Sequence, residues 1–254
     1  MKLPIPPVFL RRFWAGLHAN HLRSRGLVIS GPFAGMKYVD GSVGSQYWPK
    51  LFGTYEVELD ELWPELDRAE FDRVVDVGAA EGYYAVGCAR RWPEARVIAF
   101  ETEEEGRRLL AGMAGLNGVA DRIEIHGRAD VSVLREAFGR NSNGSGTRVL
   151  CIMDIEGGER ELCDPALIPA LGTAHLLVET HEFAVPGIND LLKNRFARTH
   201  DALAFRPRGR TLKDFEGRVP GWLRLALGRN LIHVVDEWRT PNCGWLYFAP
   251  RPPQ

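Results

Sequence analysis

The sequence predicts one large α/β domain on a mainly parallel sheet, and three observations carry that prediction. The 254 residues are 45% hydrophobic, enough for a full core. From residue 73 onward, short β-branched runs alternate with amphipathic stretches, the pattern of strands joined by crossover helices. The first such run, VVDVG, stops at an acid and a glycine and resumes as a helix-like stretch.

Taken in order, the opening MKLPIPPVFLRRFW interrupts its apolar residues with prolines and an Arg pair, so neither a signal peptide nor an anchor is expected. Phe9, Leu10, Phe13, Trp14 and Leu17 recur at helical spacing beside Arg11 and Arg12. Docking on the domain or on a second copy, giving a homo-oligomer, is the expectation, with a membrane interface as the alternative. GLVISGPFAGMKYV reads as two short strands around a Gly-Pro turn, and TYEVELDELWPEL as a helix capped by Thr54. Residues 1–58 are thus expected to form an N-terminal helical and hairpin cover, and residues 59–254 the main domain. Within the cover, Gln46–Glu56 (QYWPKLFGTYE) is expected to close over a ligand; packing of Tyr47, Trp48, Leu51 and Phe52 is the alternative.

The expected strands are RVVDVG, ARVIAFE, RIEIHG, RVLCIMDIE, HLLVETHEF, DALAFRP and GWLYFAP. Helices are expected at Tyr83–Arg91, Glu103–Leu116, Val131–Phe138, Glu159–Leu171 and Ile188–Arg198. Asn141–Thr147 (NSNGSGT) precedes a strand, which puts it at the opposite edge of the sheet from the strand C-termini where ligands bind; a solvated connection is expected. FEGRVPGWLRLALGRNLIHVVDEWR mixes helical and strand-like patches and is expected to wall a substrate pocket.

Lys+Arg 32 against Asp+Glu 33 leaves a net charge of -1, so no global field favours nucleic acid or an acidic surface. RPRGRTLK (Arg206–Lys213) is the local exception and reads as a solvated loop before a grip for an acidic acceptor. Cys88, Cys151, Cys163 and Cys243 form no CxxC pair and read as reduced core thiols of a cytoplasmic protein. No apolar run approaches the roughly 18 residues that span a bilayer.

A strand, a glycine turn, a helix and an acid closing the next strand are shared by dinucleotide and S-adenosylmethionine sites. The turn here reads Gly78-Ala79-Ala80-Glu81-Gly82-Tyr83, with alanine and tyrosine where a dinucleotide fingerprint needs its later glycines. Asp76 and Glu81 would also flank a diphosphate and repel it. S-adenosylmethionine has no phosphate and carries a sulfonium and an ammonium, so the same acids become favourable. Asp76 then faces the cofactor amine directly or through water, Gly78 and Gly82 admit its close approach, and Glu101 hydrogen-bonds the ribose hydroxyls.

VVDVGAAEGYYAVG, Glu101 and IMDIEGGERELC together resemble the class I S-adenosylmethionine-dependent methyltransferases of the FkbM type. The D-[IV]-E-G-x-E signature is Asp154-Ile155-Glu156-Gly157-Gly158-Glu159, and the resemblance covers roughly Leu59 to Phe183. GSVGSQYWPKLFGTYEVEL also resembles the segment that precedes the cofactor domain in some members. The resemblance implies a Rossmann-like, seven-stranded, mainly parallel sheet with an antiparallel last strand, and O-methylation of a hydroxyl on a small metabolite or sugar. It carries cofactor contacts onto Asp76, Gly78, Ala79, Gly82 and Glu101, with Glu81 and Tyr83 in the same turn. At the adenine end Arg128 and Asp130 stay open, Asp130 serving equally well as the N-cap of the helix at Val131.

Asp154 ends the fourth strand, between the expected methyl position and the acceptor, and is the first candidate for both cofactor contact and chemistry. Glu156 and Glu159 read as stabilisers of the following helix. Glu179 and His181 share one side of the fifth strand, and His181 is either a catalytic base or a hydrogen-bonded structural residue. Methyl transfer is an in-line displacement in which positioning dominates and a base takes the hydroxyl proton. A divalent ion held by Asp154, Glu156 or Glu179 would serve as well, but no spacing compels one and no metal ligand is assigned. An NAD(P)-dependent oxidoreductase and a catalytically silent cofactor-binding protein stay open as alternatives; RNA methylation is disfavoured by the charge balance.

Overall fold

In the computed structural model, strand β1 (Arg73–Val77) is buried at all five positions and lies inside a seven-stranded sheet, third from one edge. The structure describes residues 26–139, 146–219, 221, 224, 228–237, 239 and 242–252. The expected helical arm at Phe9–Leu17 and most of the Asn141–Thr147 connection lie outside the described residues.

The other strands are β2 (Arg96–Phe100), β3 (Ile123–His126), β4 (Val149–Met153), β5 (His175–His181), β6 (His200–Phe205) and β7 (Cys243–Pro250), in the order β3-β2-β1-β4-β5-β7-β6. Pairings among β1 to β5 are parallel, while β7 runs antiparallel to both β5 and β6. The expected seven strands and antiparallel last strand are therefore observed. Val75 stands in register with Ile98 on one side and Cys151 on the other, and all three join the core on one face of the sheet. Val74, Val97 and Leu150 form the neighbouring row and join the core on the other face. Burial on both faces is why these strands read as unbroken apolar runs. The chain winds from β1 toward β3 and then crosses to β4, so the sheet reverses direction between β1 and β4, where ligand crevices of open α/β sheets lie.

Helices at Tyr83–Arg91, Glu104–Leu116, Val131–Gly139 and Ile188–Phe196 match expectation to within two residues at each end. The helix expected over Glu159–Leu171 does not. It stops at Leu162, and a 3-10 turn forms at Pro169–Gly172. Pro165 and Pro169 account for this, since each lacks an N–H and pushes its preceding residue out of helical geometry.

The N-terminal region also departs from expectation. The Gly31-Pro32 turn is present, but its two strands are reduced to a single bridge between Leu27 and Lys37. Thr54 caps nothing: its hydroxyl is buried without a hydrogen-bond partner, and Glu56 takes a left-handed φ of 48° that prevents a helix from starting there. Instead a short helix forms at Tyr47–Phe52, a 3-10 turn at Val57–Leu59 and a helix at Trp63–Ala69. Leu51, Phe52, Leu59, Leu62 and Leu66 from this region are buried in the same core as β1. Each such side chain contributes about 1.5–3 kcal/mol. Among the described residues no helix is long and apolar enough to cross a membrane.

Candidate active site

A cleft of about 500 Å³ opens beyond the C-terminal ends of β1, β2 and β4. Its floor is Gly78, Ala79 and Ala80 after β1, Glu101 after β2, and Asp154 after β4. Gly78 has a φ of 90°, and a Cβ there would lie 1.8 Å from the Asp154 carbonyl oxygen, so glycine is required for the two loops to meet.

Glu101 is 7% exposed, and its carboxylate ties the turn together. Oε2 accepts the Ala80 N–H at 2.7 Å and Oε1 accepts the Glu103 N–H at 2.7 Å. Oε1 also accepts from the Thr102 hydroxyl at 3.5 Å, so Oε2 is the oxygen that keeps a lone pair for a further donor in the cleft. Three other amides of the turn are also committed: Gly78 and Ala79 donate to the Phe100 carbonyl and Gly82 to Ala79.

Two acids of the turn lie elsewhere than expected. Asp76 points with Val74 toward the helix at Tyr83–Arg91, where the Ala85 N–H donates to it, and it does not line the cleft. Its Oδ2 is buried without a hydrogen-bond partner, and burial first, then the charge of Asp154, pushes its pKa up to about 8. Glu81 is 0% exposed and also outside the cleft, because it pairs with the buried ammonium of Lys50 and accepts hydrogen bonds from Tyr38 at 2.5 Å, Ser42 at 2.8 Å and the Val43 N–H at 3.0 Å. The repulsion expected near the turn is thus cancelled by a cation from the N-terminal segment. Gly82 is likewise not a ligand-facing glycine. Its φ is 96° and a Cβ would meet Leu110 Cγ at 2.8 Å, so it lets two helices pack.

Of the remaining expected contacts, Gly78, Ala79, Tyr83, Glu101, Asp130 and Asp154 line the cleft. Tyr83 presents a ring packed on Phe33 and Tyr55, with its hydroxyl buried and without a hydrogen-bond partner. Asp130 is the N-cap of the helix at Val131: Oδ1 accepts from the Ser132 N–H at 2.7 Å and the Val133 N–H at 3.0 Å. Within the Gln46–Glu56 segment Lys50 and Tyr55 line the cleft, while Leu51 and Phe52 are core as the packing alternative expects.

Asp154 is the acid at the centre of the cleft, with 32% of its side chain exposed. Burial, then the charge of neighbouring Glu179, raises its pKa well above the carboxylate range. His181 stands behind it, outside the cleft lining, with Nε2 3.7 Å from Asp154 Oδ1 and 3.7 Å from Glu179 Oε2. Its Nδ1 lies 2.8 Å from Glu159 Oε1. Burial lowers the His181 pKa, but this contact and the charges of Asp154 and Glu159 raise it overall. Glu159, expected to serve its helix, is buried and instead joins His181 to the Gly157 N–H, whose contact is 2.7 Å.

A set of charges that sequence reasoning missed encloses this end of the cleft. Arg239 pairs with Glu179, with Glu58 at 2.8 Å and with Glu56 at 3.3 Å. Arg210 pairs with Glu237 and donates to the Thr54 carbonyl at 3.0 Å, so RPRGRTLK is turned inward at this residue and is not a solvated loop throughout. Burial raises Glu56 to about 8 and Glu179 to about 7 even against the pull of Arg239. The only sequence signal was the mixed patch ending in EWR, which carries Glu237 and Arg239.

The strand order and the crevice define the Rossmann-like methyltransferase fold. The human methyltransferase 10 domain containing protein shares it at a TM-score of 0.52 and 12% identity, over 98% of each chain. The O-methyltransferase TomG from Streptomyces achromogenes, crystallised with S-adenosylmethionine, aligns over 76% of this chain and 78% of its own at 13% identity and a TM-score of 0.47. The O-methyltransferase from Bacillus cereus, in complex with S-adenosylhomocysteine, aligns over 97% and 92% at 10% identity and a TM-score of 0.48. No protein-family model matches the chain, and no curated protein matches its sequence.

Proposed function

We propose that this chain is an S-adenosylmethionine-dependent methyltransferase acting on a hydroxyl of a small molecule. The observation that carries the reading is the Glu101 turn. A buried carboxylate lines the cleft as an acceptor for ribose hydroxyls, while the amides of Gly78, Ala79, Ala80 and Gly82 are already bonded within the protein. That pairing suits a nucleoside without phosphate and disfavours an NAD(P)-dependent oxidoreductase. The D-I-E-G-x-E signature at Asp154–Glu159 supports the FkbM type within this class.

When bound, S-adenosylmethionine supplies an electrophilic methyl on a sulfonium. Asp154 reaches the cleft and takes the hydroxyl proton, and burial beside Glu179 makes its carboxylate a stronger base than a surface one. His181 does not touch the cleft and acts through Asp154, with Glu159 fixing its ring. Lys50, Tyr55 and Tyr83 wall the far side and exclude water. The cleft side chains include Glu101, Glu103, Asp130, Asp154, Glu156 and Glu161 against Lys50, already paired with Glu81, and Arg128. Such a surface repels a polyphosphate strand and favours a neutral or cationic small acceptor over RNA. Calorimetric titration tests the reading: S-adenosylhomocysteine should bind one to one and NADH should not. Binding of NADH in place of S-adenosylhomocysteine would overturn it.

A further inference from the structure

Behind Asp154, the antiparallel register of β5 and β7 sets His181 directly opposite Cys243, with Glu179 two positions earlier on the same face of β5. His181 nitrogen, a Glu179 oxygen and Cys243 sulfur all lie within 4.8 Å of one another. Three further features make this more than a crowded patch. Glu159 accepts from His181 Nδ1 at 2.8 Å, which leaves the Nε2 lone pair aimed at the cluster, the arrangement that orients metal-binding histidines. Arg239 occupies Glu179 Oε1, so Oε2 is the oxygen turned toward Nε2, at 3.7 Å. Asp154 Oδ1 stands at the same 3.7 Å from Nε2 on the cleft side. Ligands around a tetrahedral ion with bonds of about 2.0–2.3 Å are separated by about 3.3–3.8 Å, so the two 3.7 Å separations already fit, and the 4.8 Å spread that includes Cys243 sulfur would contract by about 1 Å.

We propose that Glu179, His181 and Cys243 form a site for a divalent transition ion, with Asp154 facing its fourth position. One thiolate, one imidazole and one or two carboxylates select Zn²⁺ over Mg²⁺ or Ca²⁺, which take oxygen donors. The site adjoins the acceptor end of the cleft, yet it binds metal independently of any cofactor, so its failure and that of the methyltransferase reading are distinguishable.

The test is titration of the untagged, chelator-stripped full chain with Co²⁺, followed by absorption. One equivalent should give visible d–d bands and a near-ultraviolet thiolate-to-cobalt band. Zn²⁺ should displace the ion and erase both. Cys243→Ser should remove the near-ultraviolet band and weaken binding at least tenfold, and His181→Gln should weaken it as much. On the unmodified protein, stoichiometric Zn²⁺ should slow iodoacetamide labelling of Cys243, read by peptide mass spectrometry, which keeps the test independent of how the variants fold. Absence of a thiolate band, a band indifferent to Cys243→Ser, or Cys243 labelling unchanged by Zn²⁺ would each overturn the proposal.

Discussion

Replacing Glu101 by Gln separates the two tasks assigned to that carboxylate. The Ala80 and Glu103 amides each donate to a different oxygen at 2.7 Å. Glutamine retains one acceptor oxygen and turns an NH₂ toward the other amide. One charge-assisted bond is therefore lost outright, worth about 1.5–3 kcal/mol, and the other becomes a neutral bond. Urea unfolding followed by tryptophan fluorescence should show a loss of that size. Removing the charged acceptor from the ribose should cost cofactor binding a similar amount, about a 10–150-fold rise in Kd for S-adenosylhomocysteine by calorimetry. The two readouts need not move together. Reduced stability with wild-type affinity would refute the ribose contact and leave Glu101 as a brace between two loops.

Asp154→Asn should lower turnover by about 10²–10⁴ while changing S-adenosylhomocysteine affinity little, measured once an acceptor is found by screening with labelled methyl donor. Gly78→Ala should destabilise strongly and disturb the cleft, since its Cβ would lie 1.8 Å from the Asp154 carbonyl and the φ of 90° is itself strained; a soluble variant with unchanged cofactor affinity would contradict the close approach. Lys50→Met should cost about 3–5 kcal/mol by leaving Glu81 buried and unpaired, and adding Glu81→Gln should recover part of that loss, which chemical denaturation of both variants can decide. Asp76 and Glu56, raised to about 8 from ordinary values of 3.8 and 4.5, hold protons in the folded state that the unfolded chain has released. Their contribution to stability is therefore full below about pH 4 and is lost as pH rises to 8. Asp76→Asn should flatten the decline between pH 5 and 9 in urea midpoints; an unchanged slope would show that Asp76 is not buried as a neutral acid.

What was legible in the sequence follows the range of the interactions involved. Strands β1, β2, β4, β5 and β7 announced themselves because both faces are largely buried, and Glu101 because it ends a strand at a predictable distance from a glycine turn. Asp154 was legible for the same reason. Errors arose where a local signal met a tertiary one. Glu81 reads as a ligand-facing acid until Lys50, 31 residues earlier, is placed against it. Thr54 reads as a cap until the neighbouring Glu56 is drawn into left-handed backbone beside Tyr84 and Arg239. Asp76 was assigned to the wrong side because alternation along β1 sends it to the helix, not to the cleft. Arg210, Glu237 and Arg239 lie in stretches the sequence marks only as basic or mixed, since each finds its partners across the fold. The proline breaks after Leu162 were visible in the sequence and were outweighed by the apolar spacing.

The position of β7 between β5 and β6 bears on how the protein is made. During synthesis β6 emerges before the only strand it pairs with, and Glu56 leaves the ribosome 181 residues ahead of Glu237. At 5–20 residues per second that interval is roughly 9–36 s. For the 60 residues from Glu179 to Arg239, roughly 3–12 s, the acids gathered at the end of β5 lack Arg239, and β5 presents an open edge to any other nascent chain. The last described strand to be translated thus closes the sheet, and Arg239 arrives just ahead of it, so a chain arrested before residue 239 holds Glu56, Glu58 and Glu179 without their shared cation.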